Sequence, residues 1–127
     1  MTEYVLDASA LIALVHKETG WQKVAPLVQH SIISAVNFGE TVQRLRRGGM
    51  PLEVIQPMLR QLVTIPVPFD ETQAYIAASI HEQTRSAGIS FGDCACLALA
   101  MSRKGTAITA ERSWERLKLD IDIQRIR

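Results

Sequence analysis

Short apolar runs alternate along this chain with longer stretches whose apolar residues recur every three or four positions. Tyr4, Val5 and Leu6 make a run of the kind buried on both faces of a parallel sheet, predicting a strand over residues 3–6. Leu11, Ile12, Leu14 and Val15 predict a helix over 8–17, and Trp21, Val24, Leu27 and Val28 a second over 20–29. A very short strand follows at 31–33. Ser34 then opens a helix that Gly48 and Gly49 terminate. Pro51 suits the first turn of a helix reaching residue 63, and Pro57 inside it predicts a kink or split. Residues 64–67 read as a strand that Pro66 assigns to a sheet edge. Asp70 caps a helix to about residue 86, with Ala74, Ile76, Ala77, Ile80 and His81 on its inner side; Gly88 ends it. Ser90 caps the next helix, 91–104. A strand at 107–109, a short helix at 111–117 and a strand with period-two alternation at 121–126 complete the order. The alternation predicts an α/β fold, a three-layer α/β/α domain around a short, mostly parallel sheet.

Composition narrows the class. At 127 residues, 47% hydrophobic and 21% charged, the chain fits one domain over residues 1–127 and excludes a disordered one. Its longest strictly apolar stretch, residues 94–101, is eight residues long, against the roughly 20 of a membrane span. Glu3 and Asp7 interrupt what would be a signal peptide, so a cytoplasmic protein without a membrane partner is expected. Cys94 and Cys96 lie two apart in a helical stretch, where side chains diverge, and read as buried thiols. The net charge, 14 minus 13, is +1. Were four acids to hold a metal, the rest would stand at 14 minus 9, or +5, so neutrality does not exclude a phosphate-backbone substrate.

In an open parallel sheet, ligands bind beyond the carboxyl ends of the strands. Four strand-to-helix junctions there each carry one acid: Asp7 after Leu6, Glu40 in the helix after Ser34, Asp93 after Ser90, and Glu111 after Thr109. Each has a local explanation. Asp7 can cap a helix, Ser90 with Asp93 fits a capping box, Glu111 suits a helix dipole, and Glu40 can face solvent. Four together point further, because crowded carboxylates repel unless a cation neutralises them. Hard oxygen ligands suit Mg²⁺ or Mn²⁺, the usual apparatus of phosphodiester cleavage. Asn37, one turn before Glu40, can face the same cleft.

The runs Val5-Leu6-Asp7-Ala8-Ser9-Ala10-Leu11, Ser34 through Glu40, Ser90-Phe91-Gly92-Asp93 and Thr109-Ala110-Glu111-Arg112 resemble, in order and spacing, the motifs of PIN-domain ribonucleases. Length and element order are similar to VapC-type toxins of type II toxin–antitoxin pairs. The resemblance implies that Asp7, Glu40 and Asp93 bind a divalent metal, with Glu111 a further catalytic ligand although the family usually has aspartate there. It implies that Ser9 and Thr109 orient water or carboxylates. It implies a metal-dependent endoribonuclease that cleaves RNA through a metal-activated water, a homodimer, and a VapB-type antitoxin that blocks the cleft. Trp21, Val24, Leu52, Ile55 and Leu59 are the apolar residues expected to form the partner groove.

Arg44, Arg46 and Arg47 read either as cations offsetting a helix C-terminus or as an RNA or partner contact. His16, His30 and His81 are scattered, which argues against a ribonuclease working through paired histidines. Trp21 and Trp114 fall on apolar positions and read as core or interface. Two other classes stand beside the nuclease: a non-catalytic, degenerate PIN-like module binding nucleic acid or protein, and an aspartate-nucleophile phosphatase using Asp7. The second acid such a phosphatase carries two residues on is Ser9 here.

Overall fold

The computed structural model describes residues 3–62 and 66–127. Among them, β1 (Tyr4–Leu6), β2 (Ser31–Ile33), β3 (Thr106–Thr109) and β4 (Asp122–Arg125) pair in the order β2-β1-β3-β4, all parallel. Leu6 stands level with Ile33 on one side and Ile108 on the other. The strands therefore end together, and the residues after them share one rim. Since β2 lies to one side of β1 and β3 to the other, the chain changes direction at β1, the position at which parallel sheets open a crevice.

Period-two alternation sends Leu6 and Ile108 to one face of the sheet and Val5 and Ala107 to the other. Against the first face pack α1 (Ala8–His16), α2 (Trp21–Val24), α3 (Ala35–Arg47) and α4 (Leu52–Leu62). Against the second pack α5 (Glu71–Gln83) and α6 (Phe91–Arg103). This is the expected three-layer α/β/α arrangement. Helix α6 is buried nearly all round; Leu97 and Leu99 are fully enclosed, each contributing about 1.5–3 kcal/mol by leaving water.

The second predicted helix is the largest departure. Helix α2 stops at Val24, and the chain continues through a turn into a 3-10 helix at Val28–His30. Pro26 explains it: it has no N–H to donate to the Gln22 carbonyl, so the ladder of helical bonds stops there. Conversely, α4 runs unbroken through Pro57. Both Pro57 and Glu53, whose carbonyl loses its partner, are exposed, so the orphan group is open to solvent. The buried stripe of α5 is Gln73, Ala77 and Ile80; Ala74 and His81, expected inside, are exposed. Val67 makes an isolated parallel bridge to Ser34 at the β2 edge, as expected beside Pro66, while residues 64 and 65 of that predicted strand lie outside the described residues. Gly20, at φ +93°, lets the chain press against β4's end: a Cβ there would stand 2.9 Å from the Ile126 carbonyl carbon.

Candidate metal centre

Asp7 leaves β1 in an extended conformation and caps α1, its Oδ1 accepting the Ala10 N–H at 2.9 Å. Ser9 Oγ donates to the same carboxylate at 2.7 Å, and Thr109 Oγ1, from the end of β3, donates to Oδ2 at 2.6 Å. Each hydroxyl also accepts a backbone N–H at 2.9 Å, Ser9 from Ala110 and Thr109 from Glu111. Its single hydrogen is thereby left for Asp7. These bonds favour the ionised carboxylate and lower the pKa of Asp7, yet burial outweighs them. At 3% exposure the carboxyl is pushed up to about 6, with the Asp93 charge adding to the rise.

The other acids come from the opposite wall. Ser90 and Asp93 form the predicted capping box at the start of α6: Ser90 Oγ accepts the Asp93 N–H at 3.1 Å, and Asp93 Oδ2 accepts the Ser90 N–H at 3.0 Å. Glu40, half-buried on α3, accepts from Asn37 Nδ2 at 2.8 Å, and that amide also donates to the Gly92 carbonyl at 2.9 Å. Asn37 thus ties α3 to the first turn of α6. Gly92 makes this contact possible, because a Cβ there would stand 2.6 Å from the Glu40 carboxyl carbon. The motif containing Gly92 is plain in the sequence, but its role is not. The available signal is a glycine inside a helix, which costs about 1 kcal/mol against alanine without a packing reason.

Cys96 is buried on α6, one turn after Asp93. Burial pushes its thiol well above its usual value, and the charges of Asp7, Asp93 and Glu40 push it further. These acids fit a hard cation by donor chemistry: carboxylates with no lysine, arginine or histidine among the causes acting on Asp7. Asn37 Oδ1 is a further oxygen, buried without a hydrogen-bond partner. Among the described residues no three His, Cys, Asp or Glu side chains are close enough to ligate one ion as they stand. Mg²⁺ does not require that, since it keeps several waters and takes one or two carboxylates directly.

The sequence profile of the PIN domain matches residues 4–119. The chain belongs to the PIN-domain family. No curated protein matches it. Among solved structures, this PIN domain is similar to DNA-bound VapBC from Salmonella typhimurium (TM-score 0.77, 19% identity, 100% of both chains). It is similar also to VapBC-1 from nontypeable Haemophilus influenzae (0.72, 19%, 98% of both) and to FitAcB from Neisseria gonorrhoeae (0.66, 23%, 97% of both). At these identities the likeness concerns the fold.

Other expected residues fall away from the three acids. Glu111 is exposed, and it is its amide, through Thr109, that joins the network. Arg44, Arg46 and Arg47 occupy the last turn of α3, exposed, with Arg47 about 10 Å along the helix axis from Glu40. Of the expected partner groove, Val24, Ile55 and Leu59 are core residues at 0–1% exposure, and Trp21 is half-covered beneath Lys17; Leu52 remains open, next to exposed Val54. Trp114 is buried, as expected of a core residue. Among the described residues no helix is long and apolar enough to cross a membrane.

Proposed function

We propose that this PIN domain is a metal-dependent endoribonuclease, the toxin of a VapBC-type toxin–antitoxin pair. The observation carrying the reading is Asp7: a buried carboxylate whose burial the Asp93 charge makes costlier, with no cation among the charges acting on it in the described residues. Asp7, Glu40 and Asp93 would hold Mg²⁺ or Mn²⁺. When bound, such an ion stabilises charge developing at a phosphoryl group and acidifies water.

The chain's own part is orientation. Ser9 and Thr109 prevent the Asp7 carboxylate from turning, Asn37 fixes Glu40, and the capping box fixes Asp93. Water attacks phosphorus in line, the bond to the 3′ oxygen breaks, and that oxygen leaves with a proton as a 3′-hydroxyl. The downstream fragment keeps a 5′-phosphate.

Ser9 stands where an aspartate-nucleophile phosphatase carries its second acid, which weakens the phosphatase reading. The VapBC structures the fold resembles support a VapB-type antitoxin as partner; a homodimer is part of this proposal and rests on no comparison. Cut RNA decides the chemistry. Products should accept a 5′-phosphate-dependent adaptor directly, chelation should stop cleavage, and added Mg²⁺ or Mn²⁺ should restore it. Products that ligate only after kinase treatment, or cleavage that survives chelation, would overturn the reading.

A further inference from the structure

Beyond Thr109 the rim changes sign. The 3-10 helix at Arg112–Arg116 is pinned by buried Trp114, which turns Arg112, Ser113, Glu115 and Arg116 to the surface. With Arg125 and Arg127 at the end of β4 they line a cleft of about 520 Å³. Four arginines and one glutamate give this lining a charge of +3. The pairing of β4 with β3 sets this cleft beside the strand that ends at the acids. Arg125 stands in register with Thr109, one strand spacing of about 4.8 Å away and on the same face of the sheet, and Thr109 holds Asp7. Arg112 follows Glu111, whose amide that threonine also holds.

We propose that Arg112, Arg116, Arg125 and Arg127 form the track that holds the phosphates of an unpaired RNA strand as it runs from the acid cluster. The inference rests on the nuclease reading and deepens it. Guanidinium forks match phosphate oxygens, and their rigidity suits a polymer better than lysine does. Arg125 and Arg127 already hold Glu115 and Glu18 at 3.5 and 3.4 Å, and Arg127 donates from the same nitrogen to the Thr19 carbonyl at 3.0 Å, so the other guanidinium donors remain for phosphate. An unpaired strand fits because Asp7 is recessed at 3% exposure, where a splayed backbone reaches and a stiff duplex does not. Glu115 is the one anion in the lining, and it opposes the RNA.

The test is anisotropy binding of a labelled 12-nucleotide single-stranded RNA across a salt series, using Asp93→Asn protein to suppress cleavage. Arg112→Gln with Arg116→Gln should weaken binding about tenfold at low salt. The double substitution should also flatten the slope of log K against log salt by about 1.4, two contacts at about 0.7 each. Glu115→Gln should tighten binding two- to threefold, roughly. Arg44→Gln with Arg47→Gln should leave the slope unchanged. An unchanged slope after the Arg112 and Arg116 substitutions, weaker binding after Glu115→Gln, or equal preference for a duplex of the same length would each overturn the track. The outcomes separate from the nuclease reading. Cleavage by the unsubstituted protein with no slope change removes the track alone, whereas a slope change without cleavage removes the nuclease alone.

Discussion

On the β1 side of the rim, Asp7 is 3% exposed and held by three donors at 2.6, 2.7 and 2.9 Å. On the β4 side, Arg125 and Arg127 meet their carboxylate partners at 3.5 and 3.4 Å, with side chains 30% and 34% exposed. Both sides grow from the same parallel register, yet they treat charge in opposite ways. The acid is desolvated and fixed in one orientation through residues about a hundred positions apart. The arginines are solvated and loosely paired, and exposed pairs of this kind contribute about 0–1 kcal/mol. Charge that must meet a reacting centre in one geometry is worth burying; charge that holds a moving polymer is worth leaving exchangeable.

The severest way to break the fixed side is Asp93→Asn. It keeps the size of the side chain, and the amide oxygen can still accept the Ser90 N–H of the capping box. It removes one charge from the cluster. Cleavage should fall by about a thousandfold or more, the upper range for losing one group that stabilises transition-state charge. Thermal unfolding should move by only a few degrees. Undiminished cleavage or growth arrest by well-expressed Asp93→Asn protein would mean that Asp93 merely caps α6.

Asp7→Asn tests the cost of burial itself. The folded carboxyl titrates near 6, against an ordinary value of 3.8. Between those values the folded chain holds more protons than the unfolded one. This group's contribution is therefore most favourable below about pH 4, falls as pH rises through 6, and is flat above that. The total is about 3 kcal/mol at neutral pH. Asp7→Asn should recover up to that amount at pH 7 in chelator and little at pH 4. The measurement is urea unfolding of both proteins across that range. A stability difference independent of pH would show that Asp7 is not desolvated. Added Mn²⁺ should then stabilise the unsubstituted protein and leave the variant unmoved.

The elements of the fixed side were readable from sequence because they are local. Asp7, Ser34, Asp70 and Ser90 each cap the helix they precede, by short bonds between neighbours in the chain. Asn37 beside Glu40 was readable for the same reason, one helical turn apart. What escaped depends on the far side of the fold. Periodicity alone cannot say which edge of α5 meets α6, so Ala74 and His81 were expected inside when the stripe runs through Gln73 and Ala77. An apolar α4 face reads equally as core or groove, and Ile55 and Leu59 proved to be core. The arginine cleft joins residues 112–116 with 125 and 127 across a β4 pairing that no local spacing announces. Pro26 was a local signal, outweighed by the helical spacing around it.

Gly92→Ala perturbs the fixed side without touching a charge. The added methyl would press on the Glu40 carboxylate, the far end of a flexible side chain, so the fold should survive. Helix propensity even favours alanine by about 1 kcal/mol. Displacing Glu40 from Asn37 should nevertheless cost about tenfold in cleavage, within the range seen when a group that orients a ligand is lost. Stability held while activity falls is the expected signature. Equal activity would show that the position of Glu40 does not matter to the reaction.

Glu111 stands where the two sides meet, and its substitution should have the smallest effect. Its carboxylate is exposed while its amide is bound to Thr109, so the backbone stays anchored whatever the side chain. If the carboxylate reaches the ion through water, Glu111→Ala should slow cleavage a few-fold and raise the Mg²⁺ needed for half-maximal rate. Glu111→Asp, one methylene shorter, should shift the relative response to Mg²⁺ and Mn²⁺. If instead Glu111 belongs to the solvated side, its negative charge beside Arg112 opposes RNA. Its removal should then lower KM for an RNA substrate and leave the metal response alone. The two readings move different constants, so cleavage rates measured over a grid of metal and RNA concentrations place Glu111 on one side or the other. Identical grids for Glu111, Glu111→Asp and Glu111→Ala proteins would remove it from both.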